Sequence, residues 1–333
     1  MMQWARWIWV VALGLGCAAA ANAGHPAEVV LERVGVKPPI AVPIWELRRG
    51  ADRLIVLSDI SPRRNSELVY VDPGVLQEIT REAQAYVNAP GVAVDDSVSL
   101  WRGMWMLRAY RKAMRNPDNG RLRDILEPAI HQKWVAARAR FFRSTRRGET
   151  WRPWYAAFKL HEMALKQHGV GKGATVQSAL IDAFKQRAED RVDARYRMKV
   201  DASRQDVGEF AIDPELGIAC LVQTLERLGP TFDTADEGAD AWDHGDLDAL
   251  RDYFKRVPPL ERCWERLINR RTAELQGMPD PYALAEPHWL EVVQELFREK
   301  DTVVTYLPAR MLVSRTGVIG RLVEQGWALQ RRS

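Results

Sequence analysis

The sequence predicts an α+β fold: a mixed sheet built from N- and C-terminal strands, carrying a large helical insertion from about residue 97 to 300. Three observations lead there. Strand-like alternation clusters at residues 43–57 and 91–94 near the start and at 303–329 near the end, with one isolated run at 194–200. Between Ser97 and Ala188, and again from Pro214 to Glu299, apolar residues recur at helical spacing. The 333 residues are 47% apolar and 28% charged, enough for a sizeable core and against wholesale disorder, a repeat array or a coiled coil.

Taken in order, Pro43-Ile44-Trp45-Glu46-Leu47-Arg48-Arg49 alternates, Gly50-Ala51-Asp52 turns the chain and Leu54-Ile55-Val56-Leu57 returns it, which reads as a hairpin. Asp72-Pro73-Gly74 opens a helix that the pattern carries to about Tyr86, and Gly91 to Val94 is a third short strand. Amphipathic helical segments follow on Trp101, Trp105, Leu107 and Met114, on Ile130, Trp134, Phe141 and Phe142, on Trp154, Phe158, His161 and Leu165, and on Val176, Leu180 and Phe184. After the strand at 194–200, helices are expected from Pro214 to about Leu228, Ala235 to His244, Leu247 to Phe254, Leu260 to Leu275 and Pro287 to about Glu299. Val303 to Leu307 is a strand, Val318 to Glu324 a helix, and Trp327 to Leu329 a last strand after Gly326.

Met1 to Ala23 has one charge at Arg6, an apolar stretch from Trp7 to Ala21 and a small-x-small exit at Ala21-Asn22-Ala23, the pattern of a secretory signal cleaved after Ala23. The alternative is lipidation at Cys17 after Gly14-Leu15-Gly16. Beyond residue 23 no window of 18 uncharged apolar residues occurs, so no membrane span is expected in the mature chain, which is placed in the periplasm or outside the cell. Cys220 and Cys263 then remain. In an oxidising compartment they are most simply a disulfide, the alternative being two separate buried thiols.

Formal net charge is +4, too small over this length to argue for nucleic acid. Its distribution is uneven: residues 102–152 hold 14 Lys/Arg against 4 Asp/Glu, and residues 206–252 hold 13 Asp/Glu against 2 Arg. Either the basic helices meet an anionic partner, or the two stretches are solvated faces that meet each other across the insertion.

Familiar chemistry is mostly excluded. His161 and His168 stand seven residues apart, about 10.5 Å along a helix, whereas two imidazoles on one zinc need i,i+4. His161, on the Trp154/Phe158 face, reads as a packed core residue. Gly169-Val170-Gly171-Lys172-Gly173 lacks the spacing and the Ser/Thr of a phosphate loop, and no G-x-S-x-G occurs. Asp243-His244-Gly245-Asp246 reads as a helix stop followed by the N-cap of the next helix. No cofactor is implied.

Three stretches together resemble the TraB/GumN family, related to the Tiki metalloproteases: Pro43-Ile44-Trp45-Glu46-Leu47 through Ser58-Asp59-Ile60-Ser61-Pro62; Ala219-Cys220-Leu221 through Ala241-Trp242-Asp243-His244-Gly245-Asp246-Leu247 to Cys263; and Thr302 to Gln330 with Thr316-Gly317-Val318-Ile319 and Gly326-Trp327-Ala328-Leu329. The resemblance implies one domain over residues 24–333 and two loops of G-x-x-H type, one from each end of the chain. Here those loops read Ser58-Asp59-Ile60-Ser61 and Pro308-Ala309-Arg310-Met311, with serine and methionine at the histidine positions; the one acidic position retained is Asp95 or Asp96. Ser and Met are poor ligands for a divalent hydrolytic metal, and without one no bound water is activated. The resemblance therefore implies a pseudoenzyme that acts as a binding or accessory module, with a mouth lined by Ser58, Asp59, Ser61, Asp95 and Met311, no metal, and an anionic surface polymer or a periplasmic protein as the partner classes left open. The alternative is a divergent hydrolase with relocated groups, which needs His131, His161 or His244 beside that mouth.

Overall fold

The computed structural model describes residues 40–60, 69–70, 72–96, 113–142, 148–168, 176–185, 187, 190–200, 212–257 and 262–332. Ser61, the proposed signal segment and the Trp101–Leu107 segment lie outside them. β1 (Ile40–Ala41) pairs with β4 (Val69–Tyr70) as a small parallel ribbon. β2 (Ile44–Arg49), β3 (Asp52–Asp59), β5 (Ala85–Val87), β7 (Arg191–Val192), β9 (Thr302–Pro308) and β10 (Ala328–Arg331) form one mixed sheet in the order β10-β2-β3-β9-β5-β7. β2 runs against both of its neighbours, while β3, β9, β5 and β7 are parallel.

The hairpin forms as its pattern predicts, with Trp45 opposite Val56 and Leu47 opposite Leu54. Gly50 supplies the φ of +61° at the turn, a value cheap only for glycine. The decisive pairing is non-local: β9 slots between β3 and β5, with Leu57 beside Tyr306 and Tyr86 beside Val304. The sheet is thus assembled from both ends of the chain.

α1 (Pro73–Glu82) is capped by Asp72, whose carboxylate accepts from the backbone of Gly74 and Val75. It stops four residues short of the expected end at Tyr86. Gln84 takes the backbone N–H groups of Asp301 and Thr302 on its side-chain oxygen and donates its own to Thr302, so docking on β9 overrides the helical pattern and turns residues 85–87 into a strand.

The helical part comprises α2 (Leu122–Ile125), α3 (Pro128–Phe141), α4 (Pro153–Gln167), α5 (Val176–Ala183), α6 (Pro214–Asp233), α7 (Ala235–Asp243), α8 (Leu247–Arg256), α9 (Cys263–Leu275) and α10 (Pro281–Leu296). α11 (Ala309–Val313) and α12 (Val318–Glu324) close the chain before β10. α10 begins at Pro281, not Pro287: Asp280 caps it through the backbone of Tyr282, and Pro287 is carried inside because Ala285, Trp289, Leu290 and Val293 are buried along the same helix. α6 likewise runs past Pro230 to Asp233. β6 (Val92–Asp96) and β8 (Tyr196–Val200) pair as a second parallel ribbon outside the main sheet.

Helices cover both faces of the sheet. On one, Ile55, Leu57, Tyr86 and Val304 pack under Ile79, Leu180, Phe184, Trp242, Leu250 and Tyr253 of α1, α5, α7 and α8. On the other, Leu54, Val56, Val87, Val303 and Leu307 pack under Trp289, Val293, Leu312, Ile319 and Leu322 of α10 to α12. A third core joins α3, α4, α6 and α9 around Trp134, Trp154, Leu160, Leu221, Phe232 and Trp264. The oppositely charged stretches do meet in part: Lys133 on α3 reaches Glu226 at 3.5 Å and Arg140 reaches Asp233 at 3.5 Å, both on α6. These pairs are exposed and contribute little each.

Cys220 of α6 and Cys263, the first residue of α9, are joined by a disulfide with Cα atoms 5.6 Å apart across a sequence separation of 43. Closing a loop of this length stabilises the fold by about 4 kcal/mol in the chain-entropy model. Urea unfolding with and without a strong reductant should show that loss, and equal stability in both states would refute the staple.

Candidate functional site at the carboxyl end of the sheet

Open sheets of parallel strands collect ligands beyond the carboxyl ends of the strands. Here that edge is made by Asp59, Pro308, Val87 and Val192, the last residues of β3, β9, β5 and β7. Side chains alternate along a strand, so Asp59 shares the face of Ile55 and Leu57, whereas Ser58 shares that of Leu54 and Val56. Tyr306 reaches along β9 on the first of these faces and donates its hydroxyl to Asp59 Oδ1 at 2.5 Å. Burial, and then the negative charge of Asp59, push the Tyr306 phenol far above its ordinary range, with Arg310 opposing weakly from the start of α11. The phenol therefore stays protonated and serves as a fixed donor.

The residues expected to line the mouth are distributed as follows. Asp59 stands at it, bonded to Tyr306. Ser58 is fully buried on the opposite face and its hydroxyl has no hydrogen-bond partner among the described residues. Met311 is half-buried and packs against the second core, the one beneath α10 to α12. Asp95 is exposed on β6, where Arg197 of β8 holds both of its oxygens at 3.3 Å. The structure thus brings the two loops together through the pairing of Asp59 with Pro308, but sends Ser58 inward and Asp95 onto a separate ribbon. Sequence reasoning missed Tyr306. Its signal was a polar-tipped aromatic near the end of an otherwise aliphatic strand.

Beside this edge a second network fixes the ends of β5 and β7. Asp193 accepts from Arg195 Nε at 2.8 Å and Nη2 at 2.8 Å, from Asn88 Nδ2 at 2.7 Å and from Arg197 Nη2 at 3.0 Å. These bonds, Arg195 first, hold its carboxyl well below the usual range. Asn88 in turn accepts from Ala194 N at 2.8 Å and gives its carbonyl to Trp289 Nε1 at 2.6 Å, tying the β6–β8 ribbon to α10.

The motif glycines and tryptophans near the mouth are structural. Trp242 is fully buried, Gly245 ends α7 at a φ of +68°, and Asp246 caps α8 through the backbone of Asp248 and Ala249. A Cβ on Gly245 would lie 2.5 Å from the Arg331 guanidinium, and one on Gly238 would lie 2.6 Å from the Tyr253 ring and 2.8 Å from Ile60. The described histidines have other company. His131 faces Glu149 at 3.4 Å, His244 faces Asp240 at 3.5 Å, His168 stacks on Phe232 at 4.0 Å, and His288 lies edge-on to Tyr196 at 6.1 Å. His161 is 5% exposed and meets Trp264 edge-to-face at 4.8 Å, the packed core residue the sequence implied.

Among the described residues, the donors where β3 and β9 end are these. The carboxyl end of β3 offers a serine pointing away from the mouth and an aspartate already bonded to a phenol, and the start of α11 offers a thioether facing the core. Compared with known proteins, residues 94–331 match the model of the TraB/PrgY/gumN family. No curated protein and no solved structure matches the chain.

Two acid-sensitive elements follow from this geometry. At the amino end of the sheet, burial alone would raise Glu46, but bonds from Arg53 at 2.7 Å and Arg48 at 2.8 Å outweigh it and hold it low. Glu82 is held low by Arg332 first and then Arg53. Their stability is present above the usual carboxylate range and lost as pH falls through it. His161 acts earlier: burial, and then Arg262, lower its pKa from 6.5 to about 4. The unfolded chain protonates near 6.5 while the folded one does not until about 4, so its neutral ring costs nothing above that window and progressively more stability as pH falls through it, levelling at about 3 kcal/mol below pH 4. Urea unfolding of wild type should show a decline between pH 6.5 and 4.5 that His161→Phe removes; a decline unchanged in the variant would refute the assignment.

Proposed function

Given that the chain belongs to the TraB/PrgY/gumN family, we propose that it is an exported member whose sheet mouth binds a ligand without a hydrolytic metal and serves as a binding or accessory module. The observation that carries this reading is the side-chain chemistry where β3 and β9 end. Asp59 is engaged by Tyr306, Ser58 is turned inward, and Met311 lies against the apolar core. An activated water needs a cation held by imidazole and carboxylate, and these groups are a poor cage for one.

Export is supported by the disulfide, which persists in oxidising compartments. No helix among the described residues is long and apolar enough to cross a membrane. The signal reading of residues 1–23 adds that the mature chain starts at Gly24. A mature mass beginning at Gly24 without acyl groups supports cleavage after Ala23, and a diacylated Cys17 replaces it with a tethered form.

Metal analysis of protein purified without chelator tests the central claim. Manganese and zinc should remain far below one ion per chain, and micromolar additions of either should not shift the melting temperature. One tightly held ion per chain, lost in Asp59→Asn or Asp95→Ala, would overturn the reading in favour of a divergent hydrolase.

A further inference from the structure

Toward the far edge of the sheet, Tyr86, Gln177 and Arg191 bring three polar side chains near one another. Tyr86 of β5 and Arg191 of β7 are register neighbours on parallel strands. Their side chains therefore leave the sheet on the same face, from backbones about 4.8 Å apart. Tyr86 is only 2% exposed, its ring packs 5.9 Å from that of Phe184, and its hydroxyl has no hydrogen-bond partner. Buried polar atoms in folded proteins are nearly always bonded, so an orphan of this kind points to an absent partner. Gln177 on α5 brings its amide near the hydroxyl without a well-formed bond.

The two described carboxylates that flank Arg191 in sequence are committed elsewhere; Glu189 lies outside the described residues. Asp190 is taken by Arg187 at 2.6 Å and lies 3.8 Å from Lys300, and Asp193 is taken by Arg195, Arg197 and Asn88. Among the described residues, no hydrogen bond or ion pair reaches the Arg191 guanidinium. Arg191 is exposed at the sheet edge, so a buried phenol, a half-buried amide and a solvated guanidinium stand on one face, all of them donors for the oxygens of an anion.

We infer that Tyr86, Gln177 and Arg191 form a subsite for a small anionic group, the carboxylate or phosphate of a ligand. The inference goes beyond the proposed function, because none of the three residues belongs to the Asp59–Tyr306 mouth, and it stands whether or not that mouth holds a metal.

The test is thermal unfolding of the full mature chain in sodium phosphate or sodium acetate, against sodium chloride at equal ionic strength. At ten times its dissociation constant, a bound anion raises the melting temperature of a chain this size by roughly 2 °C. A shift with phosphate alone assigns a phosphate group, and one with acetate alone a carboxylate. Either shift should vanish in Arg191→Met and in Tyr86→Phe. Tyr86→Phe without anion should melt no lower than wild type, because the orphaned hydroxyl is gone. No shift with either anion, a shift that survives both substitutions, or a Tyr86→Phe protein that melts lower than wild type would each overturn the subsite.

Discussion

The structure depends on the parallel register between β3 and β9. Residues 53–59 and 302–308 lie side by side although each pair is 249 positions apart in the sequence. Non-local pairing of this kind is slow to form, because loop-closure entropy is spent before contacts reward it. Everything at the carboxyl end follows from it. The register sets Leu57 beside Tyr306 and Asp59 beside Pro308, so the phenol lies over the carboxylate. A slip of one residue would turn Tyr306 to the opposite face, bring Thr305 and Leu307 round in its place, and leave Asp59 without its donor.

That register also explains which parts of the fold were legible. Elements whose signals are local could be read directly: the hairpin from its alternation and Gly50, α1 from Asp72-Pro73, α8 from Asp246, and β9 from Val303-Val304-Thr305-Tyr306-Leu307. Elements defined by distant partners were not. β5 reads as the tail of a helix until Gln84 finds the backbone of Thr302, and β7 has two residues whose only strand credential is its neighbour. At the site the sequence located the two loops but not the directions of their side chains. Ser58 and Asp59 are adjacent letters, yet the pleat sends one into the core and the other to the mouth.

The residues that carry the family resemblance hold the scaffold. Trp242 fills the core, Gly245 and Gly326 take φ of +68° and +88°, Asp246 caps α8, and Trp327 packs against Phe297 with Arg49 over its ring. Each is fixed by sterics or a backbone bond, independently of any chemistry at the mouth. Family membership therefore speaks for the architecture, while the reaction, if any, depends on a handful of side chains at the strand ends that the scaffold does not constrain.

The two ends of one sheet face make the same point in opposite ways. At the amino end, Glu46, Arg53, Glu82, Arg332 and Glu78 form a chain of ion pairs from 2.7 to 3.0 Å in which each charge has a partner. Such a network fixes the C-terminal residues against α1 and leaves nothing for a ligand to satisfy. At the carboxyl end of that face, the Tyr86 hydroxyl is buried without a partner and Arg191 has none among the described residues. Other buried donors, Trp45 Nε1 and Trp327 Nε1 among them, also lack a partner among the described residues; what sets Tyr86 apart is its cationic register neighbour Arg191. A buried donor without a partner can be completed by something outside the chain, and the subsite inferred from Tyr86 and Arg191 lies toward the strands' carboxyl ends, where parallel sheets receive their ligands.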